Sequence, residues 1–183
     1  MNKEDLIILY SGGADSRLLL ELSLKMRKNP YCILIDYEQK HIEELKYARK
    51  QLDLKNIRYQ TVSLTNLKVD SGLTGNNEEM KYEGVHEMFV PSRNMMFVSI
   101  ASSIAEHKEI NLIWYGANGE DFKDQFIDCI QPWIGKMNEL LKVNSTIPII
   151  LEAPLIGFSK DRILELSEYF GVKQDEVFSG YGD

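Results

Sequence analysis

The chain is short of cysteine, of long apolar runs and of positive charge, and each shortage closes a class of function. Cys32 and Cys129 are the only cysteines in 183 residues, each among strand-like or aromatic neighbours. Neither a disulfide framework nor a four-thiolate zinc site is available, and both thiols are expected reduced. No apolar stretch approaches the ~20 residues of a membrane span. Met1-Asn2-Lys3-Glu4-Asp5, followed by the short run Leu6 to Tyr10, is no secretory signal, so a cytoplasmic protein without membrane contact is expected. Lysine and arginine number 21 against 28 acids, a net charge of -7, which argues against a nucleic-acid or anionic-membrane surface and for a small-molecule substrate. His41, His86 and His107 have no metal-ligand spacing; surface or packing roles suit the latter two. Neither Gly-x-x-x-x-Gly-Lys nor Gly-x-Gly-x-x-Gly occurs, and internal repeats and low-complexity tracts are absent.

What remains is an ordinary globule, 44% hydrophobic and 27% charged, sized for one domain over 1–183. It is organised around Ser11-Gly12-Gly13-Ala14-Asp15-Ser16. That stretch follows the apolar run Leu6 to Tyr10 and precedes Leu18, Leu19, Leu22 and Met26 at helical spacing, so it joins a buried strand to a helix. Two glycines let the backbone turn and approach a ligand, two serines add hydroxyls, and the helix start aims free N–H groups at the same point. A phosphate is expected there. Asp15 would repel it unless a divalent cation lies between them or its own hydrogen bonds hold it aside; magnesium is implied.

Tyr31 to Asp36 reads as a second strand, Ile42 to Leu52 as an amphipathic helix with Leu45, Ala48 and Leu52 inward, and Asn56 to Leu64 as a third strand. Strands alternating with helices at this pitch indicate parallel βαβ units, with the ligand at the carboxyl ends of the strands. The second strand ends in Asp36-Tyr37, a resting place for an adenosine beside the first loop. A polar stretch at about 65–89 has no period and reads as a lid or binding loop. Pro91 and Ser92 then lead into a helix over Met95 to His107, with Ser92 placed to cap it and Phe97, Val98, Ile100, Ala101, Ile104 and Ala105 on one face. Leu112 to Gly116 forms a fourth strand ending in Gly116-Ala117-Asn118-Gly119-Glu120-Asp121. A helix over Trp133 to Val143, a strand over Thr146 to Leu151 and a helix capped by Ser159 and closed by Gly171 complete the chain. Arg93 and Lys160 both stand in first helical turns, where a cation opposes the helix dipole, and an anionic ligand would balance both.

Ser-Gly-Gly-x-Asp-Ser after an N-terminal strand resembles the pyrophosphate loop of the ATP pyrophosphatases, a group that holds GMP synthetase, NAD synthetase, tRNA-thiolating enzymes and 7-cyano-7-deazaguanine synthase. Five further segments resemble the last of these families. Asp36-Tyr37-Glu38-Gln39-Lys40-His41 with Glu44 is similar to its Tyr-Gly-Gln-Arg-His-x-x-Glu segment, with Glu38 in place of Gly and Lys40 in place of Arg. Ser71-Gly72-Leu73-Thr74 resembles its Ser-Ala-Leu-Thr motif, and Val90-Pro91-Ser92-Arg93-Asn94 with Phe97, Ser99, Ile100 and Ala101 resembles its Val-Pro-x-Arg-Asn helix entry. Gly116-Ala117-Asn118 with Asp121, Asp128-Cys129 and Asn138 is similar to the loop and helix after its fourth strand, Asp121 and Asp128 lying one residue further apart than expected. Pro154-Leu155 with Lys160 completes the set. The family's C-terminal four-cysteine zinc cluster has no counterpart: Ser179-Gly180-Tyr181 stands in its region, and no zinc is expected.

The resemblance implies a Rossmann-like, doubly wound α/β fold with a mainly parallel five-stranded sheet and helices on both faces. It implies an ATP-dependent carbon–nitrogen ligase that takes a 7-deazaguanine acid and ammonia through an amide to a nitrile. Ser11, Gly12, Gly13, Asp15 and Ser16 would bind the nucleotide with Asp36, Tyr37, Arg93, Gly116 and Lys160, Asp15 holding magnesium through phosphate. Ser71, Leu73, Thr74, Asn94, Asn118 and Asp121 would bind the deazaguanine. Asp15, Arg93, Asp121, Asp128 and Lys160 are the candidate catalytic residues; either Asp121 or Asp128 could take a proton from ammonium. Trp133 and Phe122 suit core packing better than base stacking. The missing cluster motivates an alternative that stops at the amide; another ATP pyrophosphatase and a nucleotide sensor of the same fold are further alternatives. An exposed long loop and a moderately apolar helix would suit a homodimer.

Overall fold

A computed structural model describes residues 4–37, 42–64, 90–123 and 126–172. Strands β1 (Leu6–Leu9), β2 (Pro30–Asp36), β3 (Arg58–Ser63), β4 (Leu112–Trp114) and β5 (Ile150–Glu152) form one sheet in the order β3-β2-β1-β4-β5. Every pairing is parallel, as expected; Ile7 sits between Tyr31 on one side and Ile113 on the other. β2 is buried from Pro30 to Ile35, because helices cover both faces and a strand so placed needs apolar residues at consecutive positions.

The helices are α1 (Ala14–Lys25), α2 (Ile42–Leu54), α3 (Arg93–Lys108), α4 (Gly119–Lys123), α5 (Gln131–Asn144) and α6 (Lys160–Tyr169). Alternation along β1 divides the core. Leu6 and Ile8 pack with Leu18, Leu45, Ala48 and Ile163 from α1, α2 and α6, whereas Ile7 packs with Val98, Ala101, Ile134 and Leu141 from α3 and α5. The chain leaves β1 towards β2 and returns to β4 on its other side. The switch point, where the crevice opens, therefore lies between the carboxyl ends of β1 and β4.

Several boundaries differ from those expected. Asn56 has φ 53°, a left-handed turn that no strand continues through, so β3 begins at Arg58. α5 begins two residues early because Pro132 fits a first helical turn. β5 is short: Thr146 is held by Glu106, Pro148 has no N–H to give, and the ladder opens only where the Ile150 amide donates to the Asn111 carbonyl at 2.8 Å. Ser92 does not cap α3, because φ 58° takes it out of the extended conformation from which a side chain reaches the first free N–H groups. Ser159 is extended and accepts from the Arg162 amide at 3.2 Å, and Gly171 closes α6 at φ 77°. Met26 lies beyond α1 and is 55% exposed, while Arg17, which periodicity did not place inward, is 3% exposed. Trp133 packs on Tyr115 with ring centroids 5.9 Å apart.

Candidate active site

The loop between β1 and α1 strongly favours glycine at position 12. Gly12 has φ +88°, and a Cβ there would come 2.8 Å from the Ala48 Cβ on α2. The loop is then tied by its hydroxyls. Ser16 Oγ donates to the Gly13 carbonyl at 3.1 Å and accepts from the Gly12 amide at 3.1 Å. Its one hydrogen being spent, the 3.2 Å contact with Ser11 Oγ has Ser11 donating, and Ser11 Oγ in turn accepts from the Gly13 amide at 3.3 Å. Gly13 offers α1 no side-chain cap, so the first N–H groups of α1 face the loop mouth. Such a helix start, ringed by hydroxyls, suits an anion.

The loop after β4 meets it. Asn118 Oδ1 accepts from the Glu120 and Asp121 amides at 2.9 and 3.2 Å, while Asp121 Oδ2 accepts from the Asn118 amide at 2.9 Å. This reciprocal cap orients the Asn118 side chain: with Oδ1 committed to α4, Nδ2 donates to Asp121 Oδ1 and to Asp15 Oδ2, both at 3.2 Å. Gly116 faces the first turn of α1, where an added Cβ would lie 3.5 Å from the Asp15 Cβ, and Gly119 is held under the 156–158 segment by a 2.8 Å bond from its amide to the Phe158 carbonyl. Burial and then the Asp121 charge push Asp15 up to about 6, opposed by the Asn118 bond and the Lys160 ammonium. Two carboxylates beside an anion site supply the oxygen donors that magnesium takes. Among the described residues no three His, Cys, Asp or Glu converge on a metal position.

A second polar cluster occupies the α3 side of the rim. The Arg93 guanidinium lies 5.9 Å from the Tyr37 ring and 6.0 Å from the Phe97 ring, and its Nε donates to Asn94 Oδ1 at 3.4 Å. Buried Asn94 donates through Nδ2 to the Tyr115 hydroxyl at 3.0 Å, which donates to the Asp128 carbonyl at 3.0 Å and touches Cys129 Sγ at 3.0 Å. Burial raises the Asp128 carboxyl, and the Arg93 charge pulls it back. Burial pushes the Cys129 thiol up to about 12, and Asp121 adds to that rise, which places the two clusters within electrostatic reach. Of the two first-turn cations, Lys160 on α6 bears on Asp15 and Arg93 on α3 bears on Asp128.

A family model described as queuosine biosynthesis protein QueC matches residues 5–183. The chain belongs to the QueC family. Curated relatives carry the name 7-cyano-7-deazaguanine synthase. The protein from Buchnera aphidicola subsp. Schizaphis graminum is 32% identical, over 92% of this chain and 76% of its own length. That from Aquifex aeolicus is 32% identical, over 99% and 89%. Among solved structures, the NH3-dependent NAD synthetase from Campylobacter jejuni, in complex with nitrate ion, superposes with a TM-score of 0.58 at 15% identity, over 100% of this chain and 71% of that one. A predicted tRNA methyltransferase subunit from Methanocaldococcus jannaschii gives 0.57 at 19%, over 90% and 74%. At such identities both likenesses speak for the fold.

Within this QueC chain the structure brings Ser11, Gly12, Gly13, Asp15, Ser16, Gly116, Asn118, Asp121 and Lys160 to the switch point, with Tyr37, Arg93, Asn94 and Asp128 beside them. Asp36 ends β2, its carbonyl accepting from the Leu64 amide at 2.6 Å. Ser71, Leu73 and Thr74, the lid reading at 65–89, His41, His86, the side chain of Phe122 and Ser179 to Tyr181 lie outside the described residues. Tyr115 was not among the expected site residues and is the hub of the second cluster. Its signal was a hydroxyl one position past a buried strand, at the end where such folds bind ligands.

Proposed function

We propose that the chain converts 7-carboxy-7-deazaguanine and ammonia to 7-cyano-7-deazaguanine through an amide, using ATP to activate oxygen at each stage. The supporting observation is that Asn118 ties the phosphate-type loop to the acidic loop 103 residues later in a QueC-family chain, which puts an anion site and a carboxylate pair at one crevice. A carboxylate is a poor electrophile, because an oxide would have to leave; a phosphorus-bearing group transferred onto its oxygen makes a workable leaving group. Such transfer asks the protein for positioning and charge neutralisation. The first N–H groups of α1, presented by the Gly12 loop, grip the triphosphate end, with Lys160 and Arg93 offsetting the charge that develops. Asp15 and Asp121 would hold magnesium, which supplies charge neutralisation at the phosphates. Tyr37 and Asp36 border the adenosine. The deazaguanine lies towards Asn118 and Asp121, with Ser71, Leu73 and Thr74 assigned to the same ring. Asp128, whose burial raises its proton affinity, is assigned as acceptor of the ammonium proton.

Purified chain given the carboxylated base, ammonium, magnesium and ATP should yield the nitrile by mass spectrometry. Accumulation of the amide alone would replace the nitrile reading with an amidase. ATP-independent mass balance, with no product, would overturn both.

A further inference from the structure

The second cluster assigns a task to a residue that the overall reaction does not call for. A phenol has one hydrogen, and that of Tyr115 is committed to the Asp128 carbonyl at 3.0 Å. Towards Asn94 the oxygen can therefore only accept, so it selects the amide orientation in which Nδ2 faces it, at 3.0 Å. The other end of the amide must then present Oδ1, which receives Arg93 Nε–H at 3.4 Å. Were Asn94 turned over, Nδ2 would face Nε–H, donor against donor. At 3.4 Å the last bond contributes direction more than strength. The guanidinium lies meanwhile 5.9 and 6.0 Å from the Tyr37 and Phe97 rings, contacts that favour its charge without fixing its direction, which the amide supplies. The relay is rigid: Asn94 is 5% and Tyr115 8% exposed, and the Tyr115 ring packs on Trp133.

We propose that Tyr115 is a positioning residue: its hydroxyl, anchored on the Asp128 backbone, sets the Asn94 amide and through it the direction in which Arg93 presents its charge. This rests on the proposed reaction for its catalytic consequence, while the orientation itself belongs to the ligand-free chain. A phenylalanine would keep the ring packing yet remove the shortest contact that orients the Asn94 amide, leaving Nδ2 the longer contact with Cys129 Sγ at 3.9 Å and its bond to the Asp128 side chain. Arg93 would lose its aim without losing its charge.

The test is Tyr115→Phe, read in two ways. In the ligand-free chain, the Arg93 Nε–H nuclear magnetic resonance signal should shift and its hydrogen exchange should quicken several-fold. In turnover of the carboxylated base, kcat should fall at least about tenfold with the KM for ATP unchanged, as misdirection of a charge would produce. Asn94→Ala should have the same effects, and adding Tyr115→Phe to it should produce no further loss. An unchanged Nε–H signal in Tyr115→Phe, or losses that multiply in the double variant, would overturn the relay. If Tyr115→Phe does not fold, Asn94→Ala alone decides, through whether the Arg93 signal moves. Failure of the wild-type chain to turn over the base overturns the proposed reaction instead and leaves the resonance result standing on its own.

Discussion

Asp15 holds its charge where burial and the neighbouring Asp121 carboxylate both oppose ionisation, with the Asn118 amide and Lys160 offsetting part of that. A carboxyl that titrates near 6 in the fold and near 3.8 when unfolded binds protons more tightly in the folded chain. Its contribution to stability is complete below about 3.8 and lost as pH rises through about 6. The shift corresponds to roughly 2–3 kcal/mol at neutral pH. Asp15→Asn should therefore abolish turnover while raising the melting temperature at pH 7 and leaving it nearly unchanged at pH 4. Thermal scans of both proteins across that range check the sign, and parallel curves for variant and wild type would refute it. Asp15 was legible as a misfit from its sequence position alone, since a carboxylate in a phosphate loop needs a reason. The reason itself, an amide shared with a second carboxylate, depends on a residue 103 positions away, which no local pattern announces.

At the scale of elements, the two glycines of the first loop look alike in sequence and differ in what they permit. Gly12 has φ +88° and a virtual Cβ 2.8 Å from Ala48, whereas Gly13 is extended at φ -71° with nothing nearer than Ser11 Oγ at 3.4 Å. Gly12→Ala should destabilise the chain by about 1–3 kcal/mol in urea titration. Gly13→Ala should unfold within about 0.5 kcal/mol of wild type. Equal losses would show that the loop yields to both. Helix and strand identities followed from periodicity, and the inward positions of Leu45, Ala48 and Leu52 were readable from it. The ends were less so. Ser92 carries the side chain of a cap, but the left-handed backbone after Pro91 withholds it, and Thr146 has strand propensity but is claimed by Glu106. In both places a tertiary contact or a backbone turn overrode a local preference.

For the molecule as a whole, a nucleotide bound at the β1–α1 loop as proposed would couple to folding. Magnesium and ATP at about 100 times the dissociation constant should add about 2.7 kcal/mol, or roughly 5–10 °C in melting temperature for a chain of this size. Chelation of the metal should remove most of that gain. A chain whose melting temperature is indifferent to ATP would speak against nucleotide binding at this loop. No helix among the described residues is long and apolar enough to cross a membrane, and in a chain of net charge -7 Lys160 bears on Asp15 and Arg93 on Asp128. Apart from α4, which begins in the Gly116 to Asp121 stretch that reads as a loop, the order of elements, the buried strands and the Gly-Ser loop were settled by the sequence by itself, because periodicity and backbone permissiveness act between near neighbours. Which carboxylate meets which amide, which carboxyl each cation bears on, and that Tyr115 joins Asn94 to the Asp128 backbone were decided only by the tertiary structure. Those pairings arise where β1 and β4 come side by side at the switch point, and adjacency of that kind is created by folding the sheet.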